Sequence, residues 1–319
     1  MTEITPSDKI ATVKTKEGIS MKHYFILNPN AGFEDSTKYL IPQIDEAFKE
    51  RKDEYTIYLT TGIGDAYQYV KNLCATLLEP TRIYAAGGDG TVNEVASGLV
   101  GCKHSALGII PVGSCCDFVK SLKERNYLDI NKQADGDLIE VDIIKVNDHY
   151  SVNVANIGFD ANVVELSEKY RHKLPIKKAI DKSILWNMIF HYDNKFVLEI
   201  DGKEVYRGKY LLTAFGNGKV YGGGYYCTPN ASTGDGLIDV VMVRKIPRYR
   251  FIPLIKVYKN GQHLDNPKLK KIVHYYQCKS AKVTSETPMN VSLDGELYKW
   301  TEVNIQILEK AIKVIIPRK

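Results

Sequence analysis

The sequence predicts an α/β unit with a parallel sheet, followed by a mainly antiparallel β unit. From residue 22 to about residue 146, short apolar runs of strand character alternate with longer stretches of helical period. After Asp142, β-branched and aromatic runs recur at short intervals with turn signals between them. Because the chain's 319 residues exceed the ~150 of a typical domain, we expect two domains, each with its own core.

The first half repeats a unit of strand, loop and helix. Predicted strands cover residues 23–27, 55–59, 82–86 and 106–110. The apolar faces of two predicted helices between them consist of Leu40, Ile41, Ile44, Ala47 and Phe48, and of Ala66, Val70, Leu73, Cys74 and Leu77. Asp65 is a candidate cap of the second helix. Strands that alternate with helices form parallel sheets, which bind ligands where strands end in loops.

The second half has the pattern of an antiparallel β domain. Its predicted strands cover residues 195–200, 209–215, 238–244, 281–285, 289–293 and 304–308, and one helical interruption spans about 176–191. The chain has no low-complexity linker, so we expect the two domains to share a packed interface with a cleft.

Composition excludes several classes of protein. Hydrophobic residues make up 44% of the chain and charged residues 25%, which are globular values, and a net charge of +5 does not indicate nucleic acid. Six cysteines without C-x-x-C spacing favour a reducing, cytoplasmic location. Apolar runs fall short of the ~20 residues that cross a bilayer, so membrane contact should be peripheral and transient. Residues 1–20 are polar and aperiodic, which predicts a mobile extension.

The segment Gly87-Gly88-Asp89-Gly90-Thr91-Val92-Asn93-Glu94 lies between a predicted strand and a predicted helix. Glycines let a loop take positive φ angles and bring backbone N–H groups close to a phosphate, and a helix N-terminus favours an anion. The spacing matches neither the P-loop nor the dinucleotide fingerprint. We expect an anion-binding turn in which Asp89 could hold Mg²⁺ or accept a proton. A tight turn without a ligand is the alternative.

GGDGTVNEV resembles the signature shared by diacylglycerol kinases, sphingosine kinases and NAD kinases. Further segments, in the same order, favour the lipid-kinase branch: Asn28-Pro29-Asn30-Ala31-Gly32, Thr61 with Gly64-Asp65-Ala66, residues 111–118, Gly158-Phe159-Asp160-Ala161, residues 221–224 with Pro229-Asn230-Ala231, residues 235–239, and Leu293-Asp294-Gly295-Glu296. The resemblance implies an NAD-kinase-like α/β domain over residues 21–145, a β-sandwich domain over 146–305 and an active site in the interdomain cleft. It also implies that a terminal strand over 306–319 returns to the first domain.

The resemblance further implies which residues bind ATP. They are Asn28, Pro29, Asn30, Ala31, Gly32, Thr61, Gly87, Gly88, Asp89, Gly90, Thr91, Val92, Asn93 and Ser114. Backbone donors and hydroxyls of these loops suit phosphate oxygens. Considered alone, Ser114 would be a surface hydroxyl.

Carboxylates are the candidates for taking the proton of an acceptor hydroxyl. By resemblance Glu296 is the proton acceptor, and Asp294 and Asp89 compete for that role, which the sequence cannot rank. The alternative for Asp294-Gly295-Glu296 is an ordinary hairpin turn.

A structural magnesium site is implied at Asp235 and the backbone of Leu237. Ser232 stands where the family has a further ligand, which weakens the site.

A second departure is Cys116, which replaces an Asn of the family beside Cys115. A thiol cannot make the two-ended hydrogen bonds of an amide, so a nucleotide or loop contact there is in doubt. A redox or metal pair and two small buried residues are the alternatives.

Residues 244–282 concentrate the basic charge, with Asp265 as the single acidic residue. Interleaved Tyr249, Ile252 and other apolar residues could form a surface for anionic lipid heads, or a solvated face of a helix packed on the sheet. No nucleic-acid motif is present. An exposed β edge could support a homodimer.

The sequence therefore predicts an ATP- and Mg²⁺-dependent kinase of a lipid hydroxyl, with diacylglycerol as the first candidate acceptor and phosphatidic acid as its product. Sterols, sphingoid bases, other glycerolipids and undecaprenol stay open. The alternatives are an NAD kinase and a lipid-binding homologue without turnover.

Overall fold

A computed structural model of the chain describes residues 10–14, 21–32, 35–171, 173–190 and 194–319. The chain divides into two compact units, the first ending at Val141 and including Lys310–Lys319, and the second comprising Asp142–Glu309. No helix in these described ranges is long and apolar enough to cross a membrane.

The first unit is built on a mostly parallel sheet, as the alternating pattern predicts. Its strands are β1 (Ile10–Lys14), β2 (Lys22–Leu27), β3 (Glu54–Leu59), β4 (Thr81–Gly87) and β5 (Ser105–Pro111). The strand order is β1-β3-β2-β4-β5, with β2 to β5 parallel and β1 antiparallel to β3. The end of the last strand of the chain pairs in parallel with β5, Val314 opposite Leu107.

Among the described residues of this unit, the sheet is accompanied by the helices α1 (Thr37–Phe48), α2 (Asp65–Cys74), α3 (Asp89–Leu99) and the short α4 (Ile130–Ala134). The predicted apolar face of α1 is buried, with Leu40, Ile44 and Phe48 in one cluster with sheet residues. Phe25 and Tyr84 stack there at a ring separation of 4.4 Å. Burial of such side chains is the main stabilising contribution to the sheet and helix contact.

The structure corrects two predictions for this unit. Residues 10–14 form a strand, although they lie in the segment predicted as a mobile extension; Ile10, Thr12 and Val13 have strand propensity and pair with β3. The rest of residues 1–20 lies outside the described ranges. Asp65 is the first residue of α2 rather than its cap, which is Gly64.

The second unit is mainly antiparallel. Its strands are β6 (Asp137–Val146, which begins in the first unit), β7 (His149–Ser151), β8 (Val154–Gly158), β9 (Asn194–Ile200), β10 (Lys203–Gly216), β11 (Ile238–Arg244), β12 (Val273–Cys278), β13 (Ser280–Leu293) and β14 (Glu296–Ile316, which ends in the first unit). Strand β8 lies between β10 and β13, β11 joins β10 to β12, and β9 pairs with both β10 and β13.

Both faces of the central strands are buried. Val240 and Met242 of β11 belong to one core cluster, whereas Val241 and Val243 belong to a second one. Because successive side chains of a strand point to opposite faces, β11 has apolar packing on each side. Helices α5 (Phe159–Arg171), α6 (Ile176–Phe190) and α7 (Phe251–Lys259) contribute to the second cluster.

Two features of this unit differ from the predicted elements. The separate strands predicted at 281–285 and 289–293 are one strand, β13, whose register shifts between Thr284 and Met289. The irregular pairing explains why the periodicity reads as two runs. Helix α5 was not predicted, because only α6 has an apolar run long enough to interrupt the β pattern.

Candidate active site

The loops that follow β2, β4 and β5 meet at one edge of the first unit's sheet. The Asn28 N–H donates to the Ala86 carbonyl at 3.0 Å, and Asn28 Nδ2 donates to Thr91 Oγ1 at 3.0 Å. The Gly113 N–H donates to the Gly87 carbonyl at 3.0 Å. The carboxyl ends of parallel strands are where such folds bind ligands, and the predicted nucleotide loops are brought together there.

The glycine turn lies at the N-terminus of α3, but its glycines are not needed for the predicted reason. Gly87, Gly88 and Gly90 all lack a positive φ, so that expectation was wrong. A Cβ on Gly87 would lie 2.4 Å from Thr91 Oγ1, and one on Gly113 would lie 2.2 Å from the Cα of Gly88. Gly113 is therefore required because two loops approach closely, and Gly87 because the Thr91 side chain of the same segment occupies the space of a Cβ.

The start of α3 offers unused backbone donors. The first N–H to bond within the helix is that of Val92, which donates to the Gly88 carbonyl at 3.0 Å. The preceding N–H groups of Asp89, Gly90 and Thr91 therefore have no acceptor within the helix. A Cβ on Gly90 would meet nothing within 4 Å, so this end is open. The helix dipole and these donors favour a phosphate.

The Thr61 segment is organised by two carboxylates. Asp65 accepts hydrogen bonds from the Thr61 N–H and hydroxyl, each at 2.8 Å, and from the Tyr58 hydroxyl at 2.9 Å. Glu94 of α3 accepts from the Gly64 N–H at 2.8 Å and the Ala66 N–H at 3.1 Å. Glu94, and not Asp65, therefore accepts hydrogen bonds from the backbone N–H groups at the start of α2. The Thr61 hydroxyl proton is committed to Asp65, so this side chain positions the loop in the described arrangement.

Asp89 and Asp117 form the candidate cation site. Asp89 Oδ1 accepts from the Asp117 N–H at 2.6 Å, and burial together with the Asp117 charge raises the pKa of Asp89 to about 6. Lys120 Nζ lies 2.5 Å from Asp117 Oδ1. The ligand atoms of Asp89, Cys115 and Asp117 all lie within 4.8 Å of one another. The two carboxylates fit Mg²⁺, which prefers oxygen, whereas the softer sulfur of Cys115 does not.

Cys116 joins the two loops instead of facing outward. Its buried thiol donates to the Gly87 carbonyl at 3.4 Å and to the Gly113 carbonyl at 3.6 Å. The backbone of Cys116 has a φ of 48°. Asn is enriched at such left-handed positions, so the Asn of the family suits this backbone better than a cysteine.

The remaining predicted nucleotide residues divide into exposed and buried ones. Asn30, Gly32 and Ser114 are exposed at the loop edge, and Asn30 N–H donates to Asn28 Oδ1 at 3.0 Å. Pro29 is half-buried and Ala31 is buried. Val92 and Asn93 are buried within the unit, and Val92 offers neither a free N–H nor an accessible side chain. The structure thus does not bring Val92 to the open end of α3.

In the second unit, Asp294 has a structural environment. At the turn between β13 and β14, its carboxylate accepts from Ser151 Oγ at 2.9 Å and from the N–H groups of Val152 at 2.7 Å, Asn153 at 3.2 Å and Val154 at 2.8 Å. Burial raises its pKa to about 7, while these donors favour the ionised form. With its oxygens occupied, Asp294 orders the segment before β8 and is poorly placed to take a substrate proton.

Glu296 is the more available carboxylate. It begins β14, is partly exposed, and its Oε2 accepts from the Tyr298 hydroxyl at 3.0 Å. Tyr298 stacks on Trp300 at 4.8 Å and lies 4.3 Å from His149 between ring centroids. An aromatic cluster therefore orients Glu296 while leaving carboxylate lone pairs for an acceptor.

The predicted structural magnesium site has limited support. Asp235 and Ser232 are exposed, and Asp235 Oδ1 accepts from the Leu237 N–H at 3.1 Å. Across the described ranges, the group formed by Asp89, Cys115 and Asp117 is the one set of three potential side-chain ligands close enough to share an ion. A cation at Asp235 would therefore depend on backbone oxygens and water.

The glycines after Tyr221 shape a buried polar pair. Gly222, Gly223 and Gly224 all have positive φ, which allows the chain to fold back so that the Tyr221 N–H reaches the Tyr225 carbonyl at 3.0 Å. The Tyr221 hydroxyl donates to Asp160 on α5. Burial raises the pKa of Asp160 to about 7.

The basic segment is partly core and partly surface. Phe251, Leu254 and Tyr258 of α7 are buried in the second cluster. Tyr249 and Ile252 are 73% and 67% exposed beside basic residues. The packed side of α7 therefore agrees with the alternative of a helix packed on the sheet, and a surface for anionic lipid heads at Tyr249, in the turn before α7, and Ile252 stays a prediction.

A cavity of about 780 Å³ lies elsewhere in the second unit. Its lining includes Lys145, Asp148, Glu199, Lys282 and Asn304. This polar lining does not fit acyl chains.

The sequence interpretation did not assign roles to several residues that build these sites. They are Glu94, Asp117, Lys120, Ser151 and Tyr298. Glu94 and Asp117 belong to quoted motifs, and Tyr298 lies two residues after Glu296, which places both on one strand face. Ser151 carried no signal, because it meets Asp294 only through the fold.

Comparison with known proteins finds one family model in each half of the chain. The diacylglycerol kinase catalytic domain family matches residues 22–146, and the YegS C-terminal NAD kinase beta sandwich-like domain matches residues 153–316. The diacylglycerol kinase of Bacillus subtilis is 30% identical over 309 residues, covering 92% of this chain and 96% of that protein. A "Probable lipid kinase YegS-like" protein of Pectobacterium atrosepticum is 29% identical over 306 residues, covering 92% and 95%.

Solved structures show the same fold. A diacylglycerol kinase structure from Bacillus anthracis has a TM-score of 0.67 at 23% identity, covering 94% of this chain and 98% of that chain. An NAD kinase of Archaeoglobus fulgidus in complex with ATP has a TM-score of 0.53 at 13% identity, covering 94% and 95%. The matched families, the long relatives and the two-part fold together show that the chain belongs to the family of diacylglycerol kinases and related lipid kinases.

Proposed function

We propose that this lipid kinase uses ATP and that the open N-terminus of α3 binds its phosphates. The observation that carries the proposal is the start of α3, where the N–H groups of Asp89, Gly90 and Thr91 have no acceptor within the helix and a Cβ on Gly90 would meet nothing within 4 Å. Such preorganised donors stabilise charge on a transferring phosphoryl group.

Mg²⁺ would enter with ATP. Asp89 and Asp117 would hold it through their oxygens, and when bound it offsets negative charge on the phosphates. Lys120, which lies against Asp117, would balance the charge of the carboxylate pair.

Glu296 would take the proton from the lipid hydroxyl while the oxygen of that hydroxyl bonds to the γ-phosphorus of ATP. The bond from that phosphorus to ADP breaks, and ADP carries away the electron pair. We propose Glu296 rather than Asp294 because the Asp294 oxygens already accept four hydrogen bonds. Diacylglycerol is the proposed acceptor, since several relatives are named for it, and phosphatidic acid would be the product.

The surface of Tyr249 and Ile252 would contact the membrane that holds the acceptor. Exposed apolar side chains beside Arg248, Arg250 and Lys256 suit an anionic bilayer, where each basic residue contributes about 1 kcal/mol. Ile252→Ser should reduce co-sedimentation with vesicles of phosphatidylglycerol and phosphatidylcholine. Leu78→Ser, which changes another exposed leucine-sized side chain in the first unit, should leave it unchanged.

The proposal is tested with radiolabelled ATP, Mg²⁺ and a panel of diacylglycerol, sphingosine, a sterol, undecaprenol and NAD. We expect label in phosphatidic acid, and loss of that label in Glu296→Gln while ATP binding persists. Label in NAD alone would make the chain an NAD kinase. ATP binding without any labelled product, unchanged in Cys116→Asn, would indicate a lipid-binding protein without turnover.

A further inference from the structure

Strand β12 lies at an edge of the sheet in the second unit. Among the described residues it pairs with β11 alone, in a continuous antiparallel register from Val243 opposite Val273 to Ile238 opposite Cys278. The pairs β1–β3, β10–β11 and β13–β14 each contain a register shift, whereas this pair contains none. Strand β12 therefore offers a regular edge without a bulge.

One hydrogen bond beside the paired residues shows which backbone groups of β12 are free. The Arg244 N–H donates to the Ile272 carbonyl at 2.9 Å, so these two residues form a hydrogen-bonded pair. Opposite pairs alternate along an antiparallel ladder, and every second residue of β12 from His274 onward therefore bonds to β11. The N–H and C=O groups of Tyr275 and Gln277 point away from β11, and no group of the described residues hydrogen-bonds to them.

The same edge lacks the protection that edge strands usually carry. Residues 272–278 contain neither a charged residue nor a proline. Gln277 is exposed, and Tyr275 and Tyr276 are partly exposed. Charges, prolines and bulges are the devices that keep edge strands from pairing with other chains, so the free groups of β12 are a template for a further strand.

We propose that the strand added at this edge is β12 of a second copy of this chain, which pairs antiparallel about a two-fold axis beside Tyr276 and gives a homodimer. Tyr275 of each copy would lie opposite Gln277 of the other, and each of these two pairs would exchange two hydrogen bonds between N–H and C=O groups. A second copy fits because the free donors and acceptors have the same order in both directions from Tyr276, as a two-fold contact requires.

Side chains and neighbouring segments agree with this register. The two Tyr276 residues would lie directly opposite each other in the closer kind of pair, where aromatic side chains stabilise a sheet. No charge of one copy would oppose a charge of the other along the paired stretch. The pairing ends at Lys279, because its N–H and carbonyl already bond to Asp201 and Ile307. Lys279 Nζ pairs with Glu309 at 2.6 Å, which offsets the charge that follows the strand.

Light scattering after size-exclusion chromatography of the full chain tests the proposal, which does not depend on the proposed kinase activity. We expect wild-type protein to have twice the mass of one chain. Gln277→Pro removes an N–H that faces the second copy and none that bonds to β11, so two of the four donors across the axis are lost while the ladder within each copy stays complete. The dissociation constant of the dimer should rise by about tenfold or more. Gln277→Ala is the matched control, because it keeps this N–H, and it should dimerise like wild type.

Hydrogen exchange of the wild-type protein locates the contact without a substitution. We expect the amides of Tyr275 and Gln277 to exchange slowly in the dimer and rapidly after dilution to the monomer. The proposal is overturned by a wild-type monomer, by assemblies of more than two copies, by dimer amides that exchange as fast as those of the monomer, or by a Gln277→Pro dimer of wild-type affinity. Circular dichroism separates lost pairing in Gln277→Pro from a folding defect, and if that variant does not fold, the exchange experiment decides.

Discussion

Replacing Asp294 by Asn should lower the free energy of unfolding, whereas replacing Glu296 by Gln should lower kcat and leave the free energy of unfolding nearly unchanged. The two carboxylates are separated by one residue in the sequence, and only their surroundings distinguish them. Asp294 accepts four hydrogen bonds from a Ser hydroxyl and three backbone N–H groups, and Glu296 accepts one from Tyr298 at a partly exposed position.

The magnitude follows from the donors around Asp294. In Asp294→Asn one oxygen becomes an NH₂ group, which would face the N–H of Val152 that now donates at 2.7 Å. Leaving a buried donor unpaired costs about 1–3 kcal/mol, and the loss of charge-assisted bonds to Asn153 and Val154 adds about 1 kcal/mol. We expect the free energy of unfolding to fall by about 2–4 kcal/mol, a large share of the ~5–15 kcal/mol of a typical domain.

Glu296→Gln keeps the bond from Tyr298 through its amide oxygen, so its stability should change by less than about 0.5 kcal/mol. Loss of the proton acceptor should lower kcat by about 10²–10⁴. Urea unfolding at about pH 8.5, where a carboxyl with a pKa of about 7 is ionised, gives the free energy of unfolding when followed by circular dichroism. Phosphoryl transfer to diacylglycerol gives kcat. Wild-type stability in Asp294→Asn would mean that Asp294 is protonated and not held by these donors. Wild-type turnover in Glu296→Gln would refute the assignment of the base.

Four further substitutions test the environments of single residues in the two units. Gly113→Ala should weaken ATP binding and lower stability, because its Cβ would lie 2.2 Å from the Cα of Gly88, whereas Gly90→Ala should fold normally and weaken ATP binding alone. Cys116→Asn should raise the free energy of unfolding by about 1 kcal/mol, because Asn tolerates a φ of 48° and donates more strongly to the loop carbonyls. The folded Asp160 binds its proton more tightly than the unfolded one, with a pKa raised to about 7, so its contribution to stability is lost as pH rises from about 4 to about 7. Asp160→Asn should flatten that fall in urea titrations at a series of pH values.

Each of these has a clear opposite outcome. If folded Gly90→Ala binds ATP with wild-type affinity in a calorimetric titration, the phosphates do not bind at the start of α3. An unchanged or lower stability of Cys116→Asn would show that the pocket is matched to sulfur. Parallel pH profiles for wild type and Asp160→Asn would show that Asp160 is ionised throughout.

The local pattern was sufficient for most elements of the first unit. The strands β2 to β5 and the buried face of α1 follow from short-range periodicity, which the structure confirms. The pattern was less informative for β13, because the register shift between Thr284 and Met289 makes one strand look like two in the sequence. It was also less informative for α5, whose apolar positions are few. The pairing of β1 with β3 could not be predicted from its own residues, since five residues with strand propensity do not identify the strand with which they pair.

The sequence by itself determined the two-part fold, the glycine turn at the start of a helix and the small set of candidate carboxylates. Those features depend on neighbours along the chain, through hydrophobic period and turn chemistry. Only the tertiary structure decided that Gly113 is required by its close approach to Gly88, and that Asp294 is occupied by Ser151 and three N–H groups. Each of these depends on distances between residues far apart in sequence, and the packing of strands and helices sets those distances.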